Sequence, residues 1–164
     1  MKTLAIFDGG LAIHPASTED AAQILALQKL AYESEARLYE DWTIPPLTQT
    51  LESLQIEIQH DTVLKVIEDR AIIGSVRATV SDNICRIGRL MVHPAHQGRG
   101  VGTALMQAIE GRFPAVSGFA LFTGSRSDGN IRLYIRLGYV VTGARRISER
   151  VTLVDLSKAA VASR

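Results

Sequence analysis

The sequence predicts a single α+β domain in which a mixed, mostly antiparallel twisted sheet is flanked by helices. Three observations predict it. Apolar residues recur at helical spacing between residues 18 and 59. Three short alternating segments joined by tight polar turns follow, as is typical of an antiparallel meander. A strand, a helix and a further strand then succeed one another, which is the order of a parallel crossover.

Length and composition agree with one globular domain. The chain has 164 residues, of which 46% are hydrophobic and 21% charged, and no apolar run approaches the roughly 20 residues that span a bilayer. Residues 1–10 predict a floppy or strand-like N-terminal extension, because their apolar start is too short for a signal peptide. We expect the domain to cover residues 11–157 and a tail to cover residues 158–164.

Cysteine content and charge limit the cellular compartment and the kinds of partner that we expect. The single cysteine, Cys85, allows no internal disulfide and fits a reducing cytoplasm. Residues 1–85 hold 6 Lys/Arg against 13 Asp/Glu, whereas residues 86–164 hold 12 against 4. The basic half suits a phosphate-rich ligand, and the acidic half suits either a cationic amine or a solvated face. The arginines are not interleaved with aromatic residues, so we expect no nucleic-acid partner.

The first half of the chain predicts a strand and two helices. Residues 11–14 predict the strand. A helix to about residue 37 follows, and Ser17 or Thr18 can cap it. A loop with two prolines separates it from a second helix over residues 48–59.

Strands dominate the remainder. The meander is predicted over residues 62–68, 71–80 and 84–92. A helix over residues 100–112 leads to a buried strand over residues 118–123, which the crossover makes parallel to the strand before it. A short helix (residues 130–137), a strand from residue 139 and a last strand over residues 147–156 complete the domain.

A glycine-rich loop, Gln97-Gly98-Arg99-Gly100-Val101-Gly102, joins the third meander strand to the helix after it. The first N–H groups of a helix have no internal partners, and the helix dipole places partial positive charge there. Glycines let the backbone approach an anion closely. The loop therefore predicts a pyrophosphate cradle, or else a glycine-rich turn without a ligand.

Two common phosphate motifs do not fit this loop. A P-loop ends in Gly-Lys-Ser/Thr, but no lysine precedes Thr103. The dinucleotide fingerprint G-x-G-x-x-G would need a glycine at Thr103 or Leu105. The pattern that remains is Gln97-x-x-Gly100-x-Gly102.

That pattern resembles the acetyl-CoA signature of the GNAT superfamily of acetyltransferases, and Leu-Met-Val-His-Pro at residues 90–94 resembles the strand before it. Residues 130–139 read N-x-x-L-Y-x-x-x-G-Y, which is similar to that family's second landmark. The two motifs stand in the family's order with a helix and a strand between them. The resemblance covers residues 11–156, although only residues 87–139 are distinctive.

The resemblance implies that the fourth and fifth strands splay apart and hold acetyl-CoA between them. It implies that the backbones of Leu90, Met91 and Val92 hold the pantetheine, with Val92 nearest the thioester oxygen. Tyr134 matches a tyrosine that can protonate the leaving thiolate, since a phenol pKa of ~10 lies near a thiol's ~8.5. Asn130 either contacts the cofactor or caps its helix. The residues implied to cradle the pyrophosphate are Gln97, Gly98, Arg99, Gly100, Val101, Gly102 and Thr103.

Acetyl transfer to an amine needs an acceptor for the proton of the amine. The resemblance implies a glutamate on the strand before the loop, but residues 85–89 of that strand contain no carboxylate. An ordered water without a dedicated base is one alternative. The histidines are not spaced as a metal site, and the reaction needs no metal. The side-chain candidates for the base are Glu33, Glu35, Asp41, His93 and His96.

The acceptor is expected to contact the early helix and loop over residues 31–47. Tyr32, Glu33, Glu35 and Trp42 make this segment acidic and aromatic, which suits a cationic amine, a dimer surface or a lid. The resemblance also implies possible dimerisation through the last strands.

These observations predict an N-acetyltransferase that moves the acetyl group of acetyl-CoA to a primary amine by direct attack in a ternary complex. Two alternatives remain. One is a CoA-binding sensor or regulatory module without catalysis. The other is an acyltransferase for a longer acyl group, decided by pocket depth near Met91 and Phe122.

Overall fold

The computed structural model describes residues 5–7 and 11–161. The parts of the predicted extension and tail at residues 1–4, 8–10 and 162–164 lie outside the described residues. The strands are β1 (Ala5–Phe7), β2 (Leu11–Pro15), β3 (Thr62–Glu68), β4 (Ala71–Ser81), β5 (Ile84–Val92), β6 (Gly118–Gly124), β7 (Val140–Arg146) and β8 (Thr152–Ala159). The helices are α1 (Ala21–Tyr39), α2 (Pro45–Thr48), α3 (Leu51–His60), α4 (Val101–Gly111) and α5 (Asp128–Arg136).

The strands form one sheet in the order β1-β2-β3-β4-β5-β6-β8-β7. Every neighbouring pair is antiparallel except β5 and β6, which are parallel because α4 crosses over between them. The predicted α+β class, meander and crossover are therefore confirmed. Since β1 precedes the first predicted strand, the strands predicted as fourth and fifth are β5 and β6.

Side-chain hydrogen bonds fix where the first helices begin. The Ser17 N–H donates to Asp20 Oδ2 at 2.8 Å, within a 3-10 turn that leads into α1. The Ser53 N–H donates to Thr50 Oγ1 at 3.1 Å and caps α3. The prediction of a loop at the two prolines was wrong for Pro45–Thr48, which forms α2. Proline suits the first turn of a helix, where an N–H is not needed.

The closing strand lies further along the chain than predicted. Residues 147–151 form a turn in which the Ile147 N–H donates to the Val151 carbonyl at 3.0 Å. β8 begins at Thr152 and continues to Ala159, which pairs with Gly118 of β6. β7 lies at the open edge of the sheet and is exposed along its whole length. The expected dimerisation through the last strands remains a prediction.

Two apolar clusters lie on opposite faces of the sheet. Helix α4 covers one face with fully buried side chains such as Leu105, Met106 and Ile109. Helices α1 and α3 cover the other face, where Ile24 and Leu54 are buried. Both faces of the central strands are therefore shielded from water, as expected for the middle of a mixed sheet.

The C-terminal end of α1 packs closely against the end of β6. A Cβ built on Gly124 would lie 2.0 Å from the hydroxyl oxygen and 2.5 Å from Cζ of Tyr39. Tyr39 is buried, and its hydroxyl accepts from the Arg126 N–H at 2.8 Å. The absence of a side chain at Gly124 is thus what permits this contact.

We expect Gly124→Ala to lower the free energy of unfolding by about 1–3 kcal/mol, because the new methyl group displaces a buried ring. Urea denaturation of the purified chain measures this. Gly143→Ala on β7 is the matched control, since its Cβ meets no atom within 4 Å, and it should change stability by less than about 0.5 kcal/mol. Equal effects of the two substitutions would contradict the packing described above.

Candidate functional site

A cleft opens where β5 and β6 separate. The two strands pair only through Ile84–Gly118, Cys85–Phe119 and Arg86–Ala120. Beyond Arg86 they diverge, and the space beside them has a volume of about 470 Å³. Its walls come from α1, α2, the strands β4 to β6, α5 and the turn before β8. The lining residues include Tyr32, Glu35, Tyr39, Ile44, Asp61, Arg77, Arg86, Gly88, Arg89, Leu90, Phe122, Asn130, Tyr134 and Ile147.

A β-bulge shapes the β5 wall of this cleft. Ser75 of β4 pairs with Met91, but Arg77 pairs with Gly88, so two residues of β5 lie opposite one residue of β4. Arg89 is one of those two and has a φ of 50°, in the left-handed region. The bulge therefore changes the direction of the β5 backbone beside the cleft.

The last residues of β5 contact the sheet and its covering helices in some cases and the cleft in others. The His93 N–H donates to the Ile73 carbonyl of β4 at 2.7 Å, so strand alternation directs the Val92 N–H away from β4, toward the splay. Leu90 lines the cleft, and its carbonyl accepts from the Tyr32 hydroxyl at 3.5 Å. Met91 instead pairs with Ser75 and packs its side chain against α1 and α3.

The glycine-rich loop presents unpaired N–H groups at the start of α4. Gly98 and Gly100 have φ values of 78° and 80°, a backbone conformation that favours glycine. The first backbone hydrogen bond of the helix is donated by the Ala104 N–H to the Gly100 carbonyl at 3.0 Å. Within the described part of the chain, the N–H groups from Gln97 to Thr103 have no hydrogen-bond acceptor. The predicted cradle residues thus form one turn of free donors.

Side chains around the loop are engaged with one another. Arg99 Nη1 donates to Glu68 Oε2 at 2.9 Å, and this bond lowers the pKa of Glu68. His96 Nδ1 lies 3.1 Å from the same carboxylate oxygen. His93 Nδ1 accepts from the Ala95 N–H at 3.0 Å. Neither histidine lines the cleft, so neither is placed to act as the base there.

Tyr134 of α5 reaches the cleft from the wall opposite β5. It is 6% exposed, and its ring contacts Tyr139 edge to face. Burial raises the pKa of the phenol well above its usual value, and the nearby Tyr32 and Glu35 raise it further. Our expectation that the phenol and thiol pKa values lie close together is therefore wrong. Burial thus favours the protonated form of the phenol.

A chain of hydrogen bonds holds Glu35 at the cleft. The Ser127 hydroxyl donates its one proton to Glu35 Oε2 at 2.6 Å. The 2.9 Å contact between the Tyr39 and Ser127 oxygens is therefore donated by Tyr39, which in turn accepts from the Arg126 N–H. This series of hydrogen bonds therefore ends at the Glu35 carboxylate, where α1 meets the start of α5.

The structure does not bring every predicted acceptor residue to the cleft. Tyr32 and Glu35 line it. Glu33 points elsewhere and lies 3.9 Å from Arg37 on an exposed surface. Trp42 is 54% exposed and outside the cleft. Asp41 accepts from the Thr43 hydroxyl and N–H in a surface turn, which lowers its pKa.

Asn130 lines the cleft and does not cap its helix. α5 begins at Asp128 with Ser127 as its N-cap, so Asn130 lies inside the first turn. Of the two roles considered for Asn130, capping is excluded. It lines the cleft together with Tyr134, one helical turn further along α5.

Four charged lining residues were missed by sequence reasoning: Asp61, Arg77, Arg86 and Arg89. Burial and the neighbouring Glu57 raise the pKa of Asp61. The available signal was the presence of three arginines in otherwise apolar strands, because a charged side chain in a central strand needs a partner or an opening.

Three further observations limit the chemistry. Cys85 is fully buried, and burial raises the pKa of its thiol to about 11, so it is not a nucleophile. Residues 5–7 and 11–161 contain no group of three or more His, Cys, Asp or Glu side chains arranged to hold a metal ion. No helix in these ranges has the length and apolar character needed to cross a membrane.

Comparisons with known proteins agree with this geometry. Among curated proteins, no match is found. The fold is similar to that of the ribosomal-protein-S18-alanine N-acetyltransferase of Escherichia coli, with a TM-score of 0.77, 15% identity, and coverage of 94% of this chain and 97% of that one. PaiA N-acetyltransferase of Thermoplasma acidophilum, solved with coenzyme A, has a TM-score of 0.73, 16% identity and coverage of 91% and 98%. The yncA protein of Salmonella typhimurium, solved with acetyl-CoA, has a TM-score of 0.72, 21% identity and coverage of 94% and 96%.

The family model described as the acetyltransferase (GNAT) family matches residues 24–139, which include both sequence motifs, the cleft wall of β5 and the whole of α4. This match spans well over half of the chain. The chain therefore belongs to the GNAT acetyltransferase family.

Proposed function

We propose that the protein transfers the acetyl group of acetyl-CoA to a primary amine by direct attack within a ternary complex. The observation that carries this proposal is the separation of β5 from β6. Tyr134 and Glu35 line the cleft that it opens, and the start of α4 lies beside the end of β5, where a Cβ on Gly102 would lie 3.8 Å from Val92 and 3.9 Å from Leu90.

The residues present fit the cosubstrate. Unpaired N–H groups from Gln97 to Thr103, at the positive end of the α4 dipole, suit a pyrophosphate. The open edge of β5 beyond Arg86 offers backbone donors and acceptors to an extended amide chain such as pantetheine. Asn130 adds an amide on the facing wall.

The reaction forms a C–N bond and breaks the C–S bond of the thioester, while the amine loses a proton and the sulfur leaves as a thiolate. In this proposal, the Val92 N–H stabilises negative charge on the carbonyl oxygen. The Tyr134 phenol, whose burial favours the protonated form, donates a hydrogen bond to the leaving sulfur.

Glu35 is our candidate for the proton acceptor. Of the five side chains considered for this role from the sequence, it is the one that lines the cleft. The bond from Ser127 fixes one carboxylate oxygen and leaves the other available. An amine entering between Glu35 and Tyr134 would thus have an acceptor for its proton.

The direct test is turnover of acetyl-CoA with a panel of primary amines, followed by detection of the free thiol and mass spectrometry of the product. Acetylated amine supports the proposed function. Binding of acetyl-CoA without turnover of any amine would instead support the sensor alternative. Faster turnover with a longer acyl-CoA would favour the alternative of an acyltransferase for a longer acyl group.

We expect Thr103→Asp to weaken acetyl-CoA binding by about tenfold or more, because it adds a negative charge where the pyrophosphate is proposed to lie. The same carboxylate favours the first turn of a helix, so the fold should not suffer. Thr103→Asn is the matched neutral control. Isothermal titration calorimetry measures both affinities, and equal dissociation constants would refute the cradle.

We expect Tyr134→Phe to lower kcat by about 10- to 100-fold while leaving the KM for acetyl-CoA nearly unchanged, because the lost phenol acts on the leaving group. The phenol makes no hydrogen bond with another described residue, so stability should not fall. Steady-state kinetics and thermal unfolding measure these effects.

Tyr139→Phe removes the same atom at a site outside the cleft, and there it breaks a 2.8 Å bond to Glu110. This control should lose about 1 kcal/mol of stability and keep its kcat. The wild-type phenol, with its raised pKa, should also sustain activity above pH 10 instead of failing there. A kcat for Tyr134→Phe as high as that of the wild type would exclude the proposed role.

A further inference from the structure

Two arginines meet on the cleft wall formed by β4 and β5. Arg77 Nη1 donates to Glu57 Oε2 of α3, so Arg77 has an internal partner. That carboxylate oxygen also accepts from Gln49 Nε2 at 2.8 Å. Burial lowers the pKa of Arg77, and the positive charge of Arg89 lowers it further; both residues line the cleft.

Arg89 has no such partner. Its Nε is buried without a hydrogen bond, and no carboxylate among the described residues lies within ion-pair distance of it. Two carboxylates line the same cleft, Glu35 and Asp61. Neither forms an ion pair with Arg89, and Glu35 accepts a hydrogen bond from Ser127. A guanidinium has five donors in a fixed fork, and leaving a buried donor unpaired is unfavourable.

The backbone at Arg89 adds to this cost. A non-glycine residue in the left-handed region is strained, and here the strain lies in the bulge that shapes the cleft wall. Strained backbone and a buried, unpaired Nε–H donor thus occur at one residue, which also lines the cleft. No acceptor among the described residues meets this donor, so we expect the acceptor to come from a ligand.

On the basis of the proposed acetyl transfer, we propose that the amine acceptor is a small amino acid whose carboxylate binds Arg89. The forked guanidinium matches a carboxylate in geometry as well as charge. Arg77, held by Glu57, adds positive charge beside it. The amine of the same molecule is then directed toward Glu35 and Tyr134.

The remaining lining suits the rest of such a molecule. The apolar part of the wall has room for an aliphatic side chain, and the volume of about 470 Å³ suits a small acceptor. These apolar residues are Ile44, Pro45, Pro46, Ile147, Val151 and Leu153.

The test compares free amino acids with matched amines that lack the carboxylate. The free L-amino acids are assayed with acetyl-CoA beside their carboxamides and decarboxylated amines, such as leucine, leucinamide and 3-methylbutylamine, with spermidine as a cationic amine. We expect at least one amino acid to exceed both of its neutral analogues in kcat/KM by about 100-fold or more, because a site built for a charged group rejects the analogue that lacks it.

Arg89→Gln should reduce this preference to within a few fold. It should lower kcat/KM for the amino acid but not for the decarboxylated amine, and the dissociation constant for acetyl-CoA should not change. Its melting temperature should not fall, since Arg89 forms no internal ion pair. Arg112→Gln, the same change on an exposed residue outside the cleft, should leave the preference intact.

Three outcomes would overturn the inference. If amines are acetylated but the carboxylate gives no advantage, the inference fails and the proposed function stands. If Arg89→Gln weakens acetyl-CoA binding or lowers turnover of both acceptor sets equally, Arg89 does not select the acceptor. If no amine or amino acid is acetylated, the proposed function and the inference fail together.

Discussion

The separation of β5 from β6 after three residue pairs is the constraint on which the rest of the site depends. β5 is held by β4 as far as Val92, and β6 is held by β8 from Gly118 to Gly124. Neither strand can close the gap without losing ladder hydrogen bonds to its other neighbour. The open edges therefore belong to the folded state. Because α4 begins after β5 and α5 begins after β6, both helix starts lie beyond the diverging ends of these strands, where a Cβ on Gly102 would lie 3.5 Å from Leu133 of α5.

A second set of contacts fixes how far the cleft opens. The end of α1 is joined to the segment after β6 by Tyr39, whose hydroxyl accepts from the Arg126 N–H, and by Arg126 Nη1, which donates to the Leu38 carbonyl at 2.9 Å. The Ser127 hydroxyl extends this junction to Glu35. The contact requires glycine at position 124, since any side chain there would meet the Tyr39 ring. These contacts join helix α1 to the start of α5, the two elements that carry Glu35 and Tyr134.

Most of the fold could be predicted because its signals are local. Helical periodicity, tight polar turns and the glycine loop each depend on a few neighbouring residues, and they placed the meander, the crossover and α4 correctly. The acceptor side could not be predicted in this way. Glu33 and Glu35 are two residues apart on α1, and only the packed helix shows that Glu35 is the one at the cleft. The bulge at Arg89 is equally invisible in the sequence, because it arises from the register between β4 and β5. Glu33 and Trp42 suggested a cationic acceptor, yet both lie outside the cleft.

The presence of arginines on the sheet side of the cleft changes the electrostatic requirements of the proposed reaction. An acidic site would stabilise the acceptor as an ammonium ion, which has no lone pair for attack. The arginines on the sheet do the opposite, because nearby positive charge disfavours the protonated form of an amine and lowers its pKa. An acceptor that brings its own carboxylate can still bind, since that group neutralises Arg89. The two tasks are then carried by different walls of the cleft. In the proposed complex, the sheet binds the anionic group through Arg89, and α1 accepts the proton through Glu35, which Ser127 holds by a hydrogen bond.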